Sequence, residues 1–154
     1  MEYKFESRPA FSVIGKEGST SDGEGFIERL WQEANQNFSQ VSALAKKDPD
    51  GSFAGFWGLM SDEGMNFEPW EDSFTRGLYL AGVEVTDSAV PPDGWVKWTA
   101  PAREYLIAPA GPDAFSQALA YIKARGWRLS GAVYDFTDPR SGESSQYFPI
   151  DKSI

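Results

Sequence analysis

Residues 74–85, FTRGLYLAGVEV, decide the fold. Leu78, Leu80, Gly82 and Glu84 share one side of an extended chain here, and Tyr79, Ala81, Val83 and Val85 the other. Side chains alternate faces along a strand, so a strand apolar on both faces must be covered on both. Pro91-Pro92-Asp93-Gly94 closes the stretch downstream as a turn, and an acidic loop, residues 61–72, leads into it.

The elements on either side follow one plan twice. Upstream, residues 8–15 (RPAFSVIG) predict a strand and residues 16–25 a Gly/Ser-rich loop, with Ser21 and Glu24 spaced as a capping box. Ile27, Leu30, Trp31, Ala34 and Phe38 then recur at helical spacing. A second short helix is expected over about residues 41–46, before the Asp48-Pro49-Asp50-Gly51 turn, and a glycine-interrupted strand over residues 53–60. Downstream, residues 94–98 and 103–109 predict strands. Gly111-Pro112-Asp113 opens a helix whose stripe is Phe115, Ala118, Leu119 and Ile122, ending at Gly126. Residues 131–137 and 145–150 predict two closing strands. The order strand, helix, strand, strand thus occurs twice. The expected fold is α+β, a single domain over residues 1–154. Two β-α-β-β modules in pseudo-twofold arrangement build an antiparallel sheet with helices on one side and a groove on the other.

Composition narrows the chemistry. The 154 residues hold no cysteine and no histidine, which excludes disulfides, thiol nucleophiles, Ser-His-Asp devices and Cys/His zinc sites. With 14 basic against 23 acidic residues the formal charge is −9, which argues against direct nucleic-acid binding. No apolar run approaches the ~18 residues of a membrane span, and Met1 to Glu6 lacks the apolar core of a leader. The expectation is a cytoplasmic globular protein. Asp48, Asp50 and Gly51 resemble the opening of a calcium loop, but no acidic residue follows at the required distance, and Gly55 and Gly58 lack the Gly-Lys-Ser/Thr of a phosphate loop. No metal and no cofactor is expected.

Glu84 stands out as a carboxylate inside an apolar strand. It must be paired, hydrogen-bonded or protonated. Either it meets an arginine, a lysine or water at the strand end, or it forms an acidic pocket floor awaiting a cation or a proton. Gly82, its neighbour on the same face, predicts open volume above it. Aromatic walls around such an acid suit flat or quaternary cations. Trp95 and Trp98, three residues apart, face opposite ways in an alternating strand, so at most one lines a groove.

In order along the chain, RPAFSVIG, Leu30-Trp31, YLAGVEV (79–85), PPDGW (91–95), PAREYLI (101–107) and QYFPI (146–150) resemble the GyrI-like family. This family comprises the effector-binding domains of AraC-type and MerR-type multidrug regulators, and stand-alone proteins. The resemblance implies an aromatic groove with a buried acid that binds hydrophobic, often cationic, compounds. Glu84 matches the family's Gly-Val-Glu-Val segment and Tyr105 the tyrosine after its Pro-Ala turn; Trp57, Tyr79, Trp98 and Tyr147 complete the expected ligand-binding set. Relatives often close on an acidic-aliphatic-aromatic strand where this chain has Ser145, Gln146 and Tyr147. If the family's pocket acid lies there, Glu84 has to substitute for it. No DNA-binding segment accompanies the domain in this sequence, so a stand-alone small-molecule binder, for sequestration or sensing, is expected. Two alternatives remain open. One is a hydrolase of strained electrophilic toxins, with Glu84 as general base and Tyr105 or Tyr147 as proton donor. The other is a protein-interaction inhibitor of the gyrase-inhibitor type, its partner unknown.

Overall fold

The structure, a computed structural model, describes residues 3–152. Its nine strands are β1 (Lys4–Arg8), β2 (Phe11–Ser19), β3 (Phe56–Ser61), β4 (Leu78–Val85), β5 (Val96–Ala100), β6 (Arg103–Pro109), β7 (Arg128–Leu129), β8 (Tyr134–Thr137) and β9 (Ser144–Asp151). The helices are α1 (Phe26–Gln36), the one-turn α2 (Glu71–Phe74) and α3 (Ala114–Ala124). Every pairing is antiparallel, in the order β1-β6-β9-β8-β3-β4-β2-β5, with β7 added beside β9. This is the expected α+β plan: β2-α1-β3-β4 and β6-α3-β8-β9 meet at the β3–β8 seam.

The edges carry what the sequence reading did not. The strand expected over residues 8–15 is two strands broken at Pro9-Ala10, and β1 pairs with β6 while β2 pairs with β5 at the other end of the order. Pro101-Ala102 repeats the device between β5 and β6. A flat sheet forbids this. β1 and β2 stand six strand spacings apart in the order, about 29 Å at ~4.8 Å each, whereas Arg8 to Phe11 spans at most ~11 Å. The sheet therefore curls until its ends nearly meet, and it has an inside.

Inside lies an aromatic core of Phe11, Trp57, Trp98, Tyr105, Tyr134 and Tyr147. Outside, α1 packs on β2 and β4, and α3 on β6, β7 and β9. β4 follows its predicted alternation: Leu80 joins the interior core, while Tyr79, Ala81, Val83 and Val85 lie in the clusters beneath and beside α1. Trp95 and Trp98 indeed part, Trp95 donating to Gln40 on the helical side and Trp98 to Glu17 on the interior side, each at 2.7 Å.

Several boundaries move. β4 begins only at Leu78, because Asp72, Ser73 and Phe74 take positive φ and form a left-handed turn. The short helix expected near residues 41–46 is a pair of 3-10 turns, Phe38–Gln40 and Ser42–Leu44. The capping box is made by Ser19 and Asp22 rather than Ser21 and Glu24, and it closes the 3-10 turn Thr20–Asp22. Gly82 opens no space: a side chain there would run into the Ile14 carbonyl of β2, which lies against it opposite Gly15. The two glycines let β2 and β4 coil tightly.

Candidate functional site

Glu84 points into the curl and is almost wholly buried, its side chain 4% exposed. Its Oε1 accepts from the Trp57 indole at 3.0 Å and from Arg8 Nη2 at 3.3 Å, and Lys46 Nζ lies 3.6 Å from Oε2. The fold makes this possible in two ways. Trp57 and Glu84 sit on neighbouring strands with interior-facing side chains. Arg8 arrives as the last residue of β1, turned inward just before the Pro9-Ala10 link. Its guanidinium lies over the Phe11 and Trp57 rings, 4.9 and 5.1 Å from their centroids, and also bonds Glu6 at 2.9 Å. The acid thus takes the first of its two sequence readings, an ion pair, and the cation in its aromatic box is the chain's own.

Two cavities of about 310 Å³ adjoin this box. One runs past Arg8, Lys46 and Glu84 to Arg140, the other past Lys4 and Glu6 to Ser145 and Tyr147, and Phe136 and Asp138 border both. Together they form a groove along the open mouth of the curl. Its charges alternate, with Arg140 3.4 Å from Asp48 and 3.7 Å from Asp138.

Among the expected site residues, the structure brings Trp57, Tyr105, Tyr147 and Trp98 into one interior cluster, with Glu84 bonded to it through Trp57. Only Glu84 and Tyr147 border the groove. Tyr105 is sealed beneath, and neither its hydroxyl nor that of Tyr134 has a hydrogen-bond partner of normal geometry. Loss of hydration pushes the Tyr105 and Tyr147 phenols up to about 12, and Tyr134 is pushed up as well. Trp98 belongs to a remote part of the cluster beside Phe67, at a ring separation of 5.9 Å.

Tyr79 lies on the other side of the sheet, under α1. Its hydroxyl donates to Asp135 Oδ2 at 2.9 Å and accepts from Trp31 Nε1 at 3.1 Å. Gln146 Nε2 donates to Asp135 Oδ1 at 3.3 Å. Burial pushes the Asp135 carboxyl above its ordinary range, while these two hydrogen bonds pull the other way. Sequence reasoning missed Asp135, Arg8 and Lys46. A signal existed for Asp135, a charged residue between Tyr134 and Phe136 in a strand, the same kind of anomaly that marked Glu84.

No protein-family model matches the chain. Among curated proteins it is 26% identical over 148 residues to the transcriptional regulator BrlR of Pseudomonas aeruginosa. That match covers 91% of this chain and 49% of the regulator, so the chain spans about half the length of the curated relative it matches. Among solved structures it is similar to the EcmrR C-terminal domain, with a TM-score of 0.64, 13% identity and 98% of each chain covered. It is also similar to SAV2435 bound to tetraphenylphosphonium, with a TM-score of 0.61, 16% identity and 98% and 94% coverage. A hydrolase from Listeria innocua gives a TM-score of 0.52 at 13% identity, over 97% and 92%. The fold is that of the GyrI-like effector-binding domains, as the sequence resemblance implied. Among the described residues no helix is long and apolar enough to cross a membrane.

Proposed function

We propose that this domain binds small organic molecules, hydrophobic and cationic ones above all, in the groove at the mouth of the curl, with Glu84 and Tyr147 on its inner wall and Trp57 behind them. One observation carries the reading: the acid and its aromatic neighbours already hold a flat cation, the Arg8 guanidinium. A ligand cation takes that place when Arg8 swings out toward Glu6 and the groove. Its apparent affinity is lowered by the fraction of time Arg8 is at home. The fold shared with a domain bound to tetraphenylphosphonium supports the ligand class.

Binding is favoured over turnover by the state of Glu84. A general base needs an oxygen turned to water, whereas Oε1 accepts from Trp57 and Arg8 and Oε2 faces Lys46. Titration of tryptophan fluorescence with tetraphenylphosphonium and a rhodamine-type dye tests the reading. Glu84→Gln is expected to weaken cation binding at least tenfold and Arg8→Ala to tighten it. Unchanged affinity in Glu84→Gln removes Glu84 from the site, and hydrolysis of a strained electrophile by the wild type replaces the binding reading with an enzymatic one.

A further inference from the structure

The sheet has a second acid, on the face that carries the helices. Asp135 projects from β8 beside the β3–β8 seam, between the ground covered by α1 and that covered by α3. It lines a cleft of about 270 Å³ together with Ile27, Trp31, Phe56, Tyr79 and Ala110. Unlike Glu84, it forms no ion pair among the described residues; its donors are two neutral groups, the Tyr79 hydroxyl and the Gln146 amide. Across the seam Gly58 stands opposite it. Any side chain at 58 would fall on the Tyr79 hydroxyl, so the glycine is what lets that phenol reach over β3 to the carboxylate.

We propose that this helix-side cleft is a second ligand site, selective for a small organic cation such as an aromatic or quaternary amine, with Asp135 as its counter-ion and Trp31, Phe56 and Tyr79 as its aromatic walls. The argument is one of charge. The ionised Asp135 carboxylate is met only by neutral donors, so an entering cation supplies its first charged partner and gains that attraction in a medium that screens it weakly. The surrounding rings add the cation–π attraction of a desolvated box. Tyr79 and Trp31 fix the carboxylate through their chain of two hydrogen bonds, so the site is ordered before the ligand arrives. Burial, which raises the Asp135 pKa, works against this attraction by favouring the neutral acid, and an arriving cation has to offset it. The volume suits a single ring with a short ammonium arm.

The test uses phenethylammonium and benzyltrimethylammonium as probes and 2-phenylethanol as the uncharged control. Binding is measured by calorimetry and by the indole N–H resonances in nitrogen-15 spectra. The expected result is saturable binding of the cations, a shift of the Trp31 resonance, and at least tenfold weaker binding in Asp135→Asn. Because that variant changes a half-buried network, Ala110→Lys serves beside it: residue 110 is exposed, and a lysine there delivers an ammonium into the same cleft. It is expected to abolish probe binding. No saturable binding to the wild type, equal affinity in Ala110→Lys, equal binding of 2-phenylethanol, or a shift confined to the Trp57 resonance would each overturn the proposal.

Discussion

Glu84 and Asp135 lie on opposite faces of one curled sheet, both set among aromatic rings, and they are stabilised in different ways. Glu84, in the first module, faces the inside of the curl and is held by two cations and an indole. Asp135, in the second, faces the helices and is held by a phenol and an amide. The difference follows from topology. Only the interior receives Arg8, because the crossed links at Pro9-Ala10 and Pro101-Ala102 turn the end of β1 inward. On the helical face the nearest chain is α1, which presents Ile27 and Trp31 to the cleft. The two acids therefore differ in what an added cation would meet: at Glu84 it has to displace Arg8, at Asp135 it meets an acid with no charged partner among the described residues.

Removing that counter-charge is the sharpest way to break the comparison. Arg8→Ala leaves Glu84 buried with Trp57 and the half-exposed Lys46. Breaking a buried pair costs ~3–5 kcal/mol, and because Arg8 is itself 23% exposed, about 3 kcal/mol is expected from urea denaturation. Arg8→Ala combined with Glu84→Gln should recover much of that loss, since no uncompensated charge remains. A double variant as unstable as Arg8→Ala would mean that Arg8 acts by packing on Phe11 and Trp57 and not by pairing with Glu84.

Trp57→Phe probes the same acid from the other side. It removes the indole donor to Oε1 while keeping a ring against Phe11 and Tyr147. A hydrogen bond to a charged group contributes ~1.5–3 kcal/mol, and about 2 kcal/mol of destabilisation is expected. Loss of only a few tenths would show that the two cations alone hold Glu84.

How much of this was legible beforehand divides along the same line. The two modules could be read because periodicity is local: β6 runs from Arg103 to Pro109 as expected, and α3 falls inside its Pro-to-Gly frame. The curl could not be read, since it depends on β1 and β5 each pairing with a strand of the other module. Without the curl, nothing tied Arg8 to Glu84, 76 positions away. Glu84 was visible because its flanking valines advertise a strand; Asp135, flanked by Tyr134 and Phe136, advertises one equally. What it lacked in sequence was Tyr79, 56 positions earlier.

Gly58→Ala tests the helix-side network through the space it requires. The added methyl displaces the Tyr79 hydroxyl and also meets the Asp135 side chain. Overpacking of this kind costs ~1–3 kcal/mol, and about 1.5 kcal/mol is expected here, since the phenol can withdraw toward Trp31. The Trp31 indole resonance should move with it. A neutral result would mean that the Tyr79–Asp135 bond contributes little.

The smallest expected effect has the most specific signature. In Asp135→Asn the amide oxygen accepts from Tyr79, and a flipped Gln146 amide offers its oxygen to the new NH₂, so the contacts persist while the charge disappears. Folding raises the Asp135 pKa above 3.8, so the folded protein holds this proton more tightly than the unfolded chain. The linked stability is fully present below 3.8 and is lost as pH rises through the window up to the raised value. The asparagine variant lacks that loss. Its stability relative to wild type should therefore climb across the window and then stay level, as read from urea midpoints at a series of pH values. A difference independent of pH would mean that folding leaves the Asp135 pKa where it is in the unfolded chain, and the contrast with Glu84 drawn from its missing counter-charge would then fail.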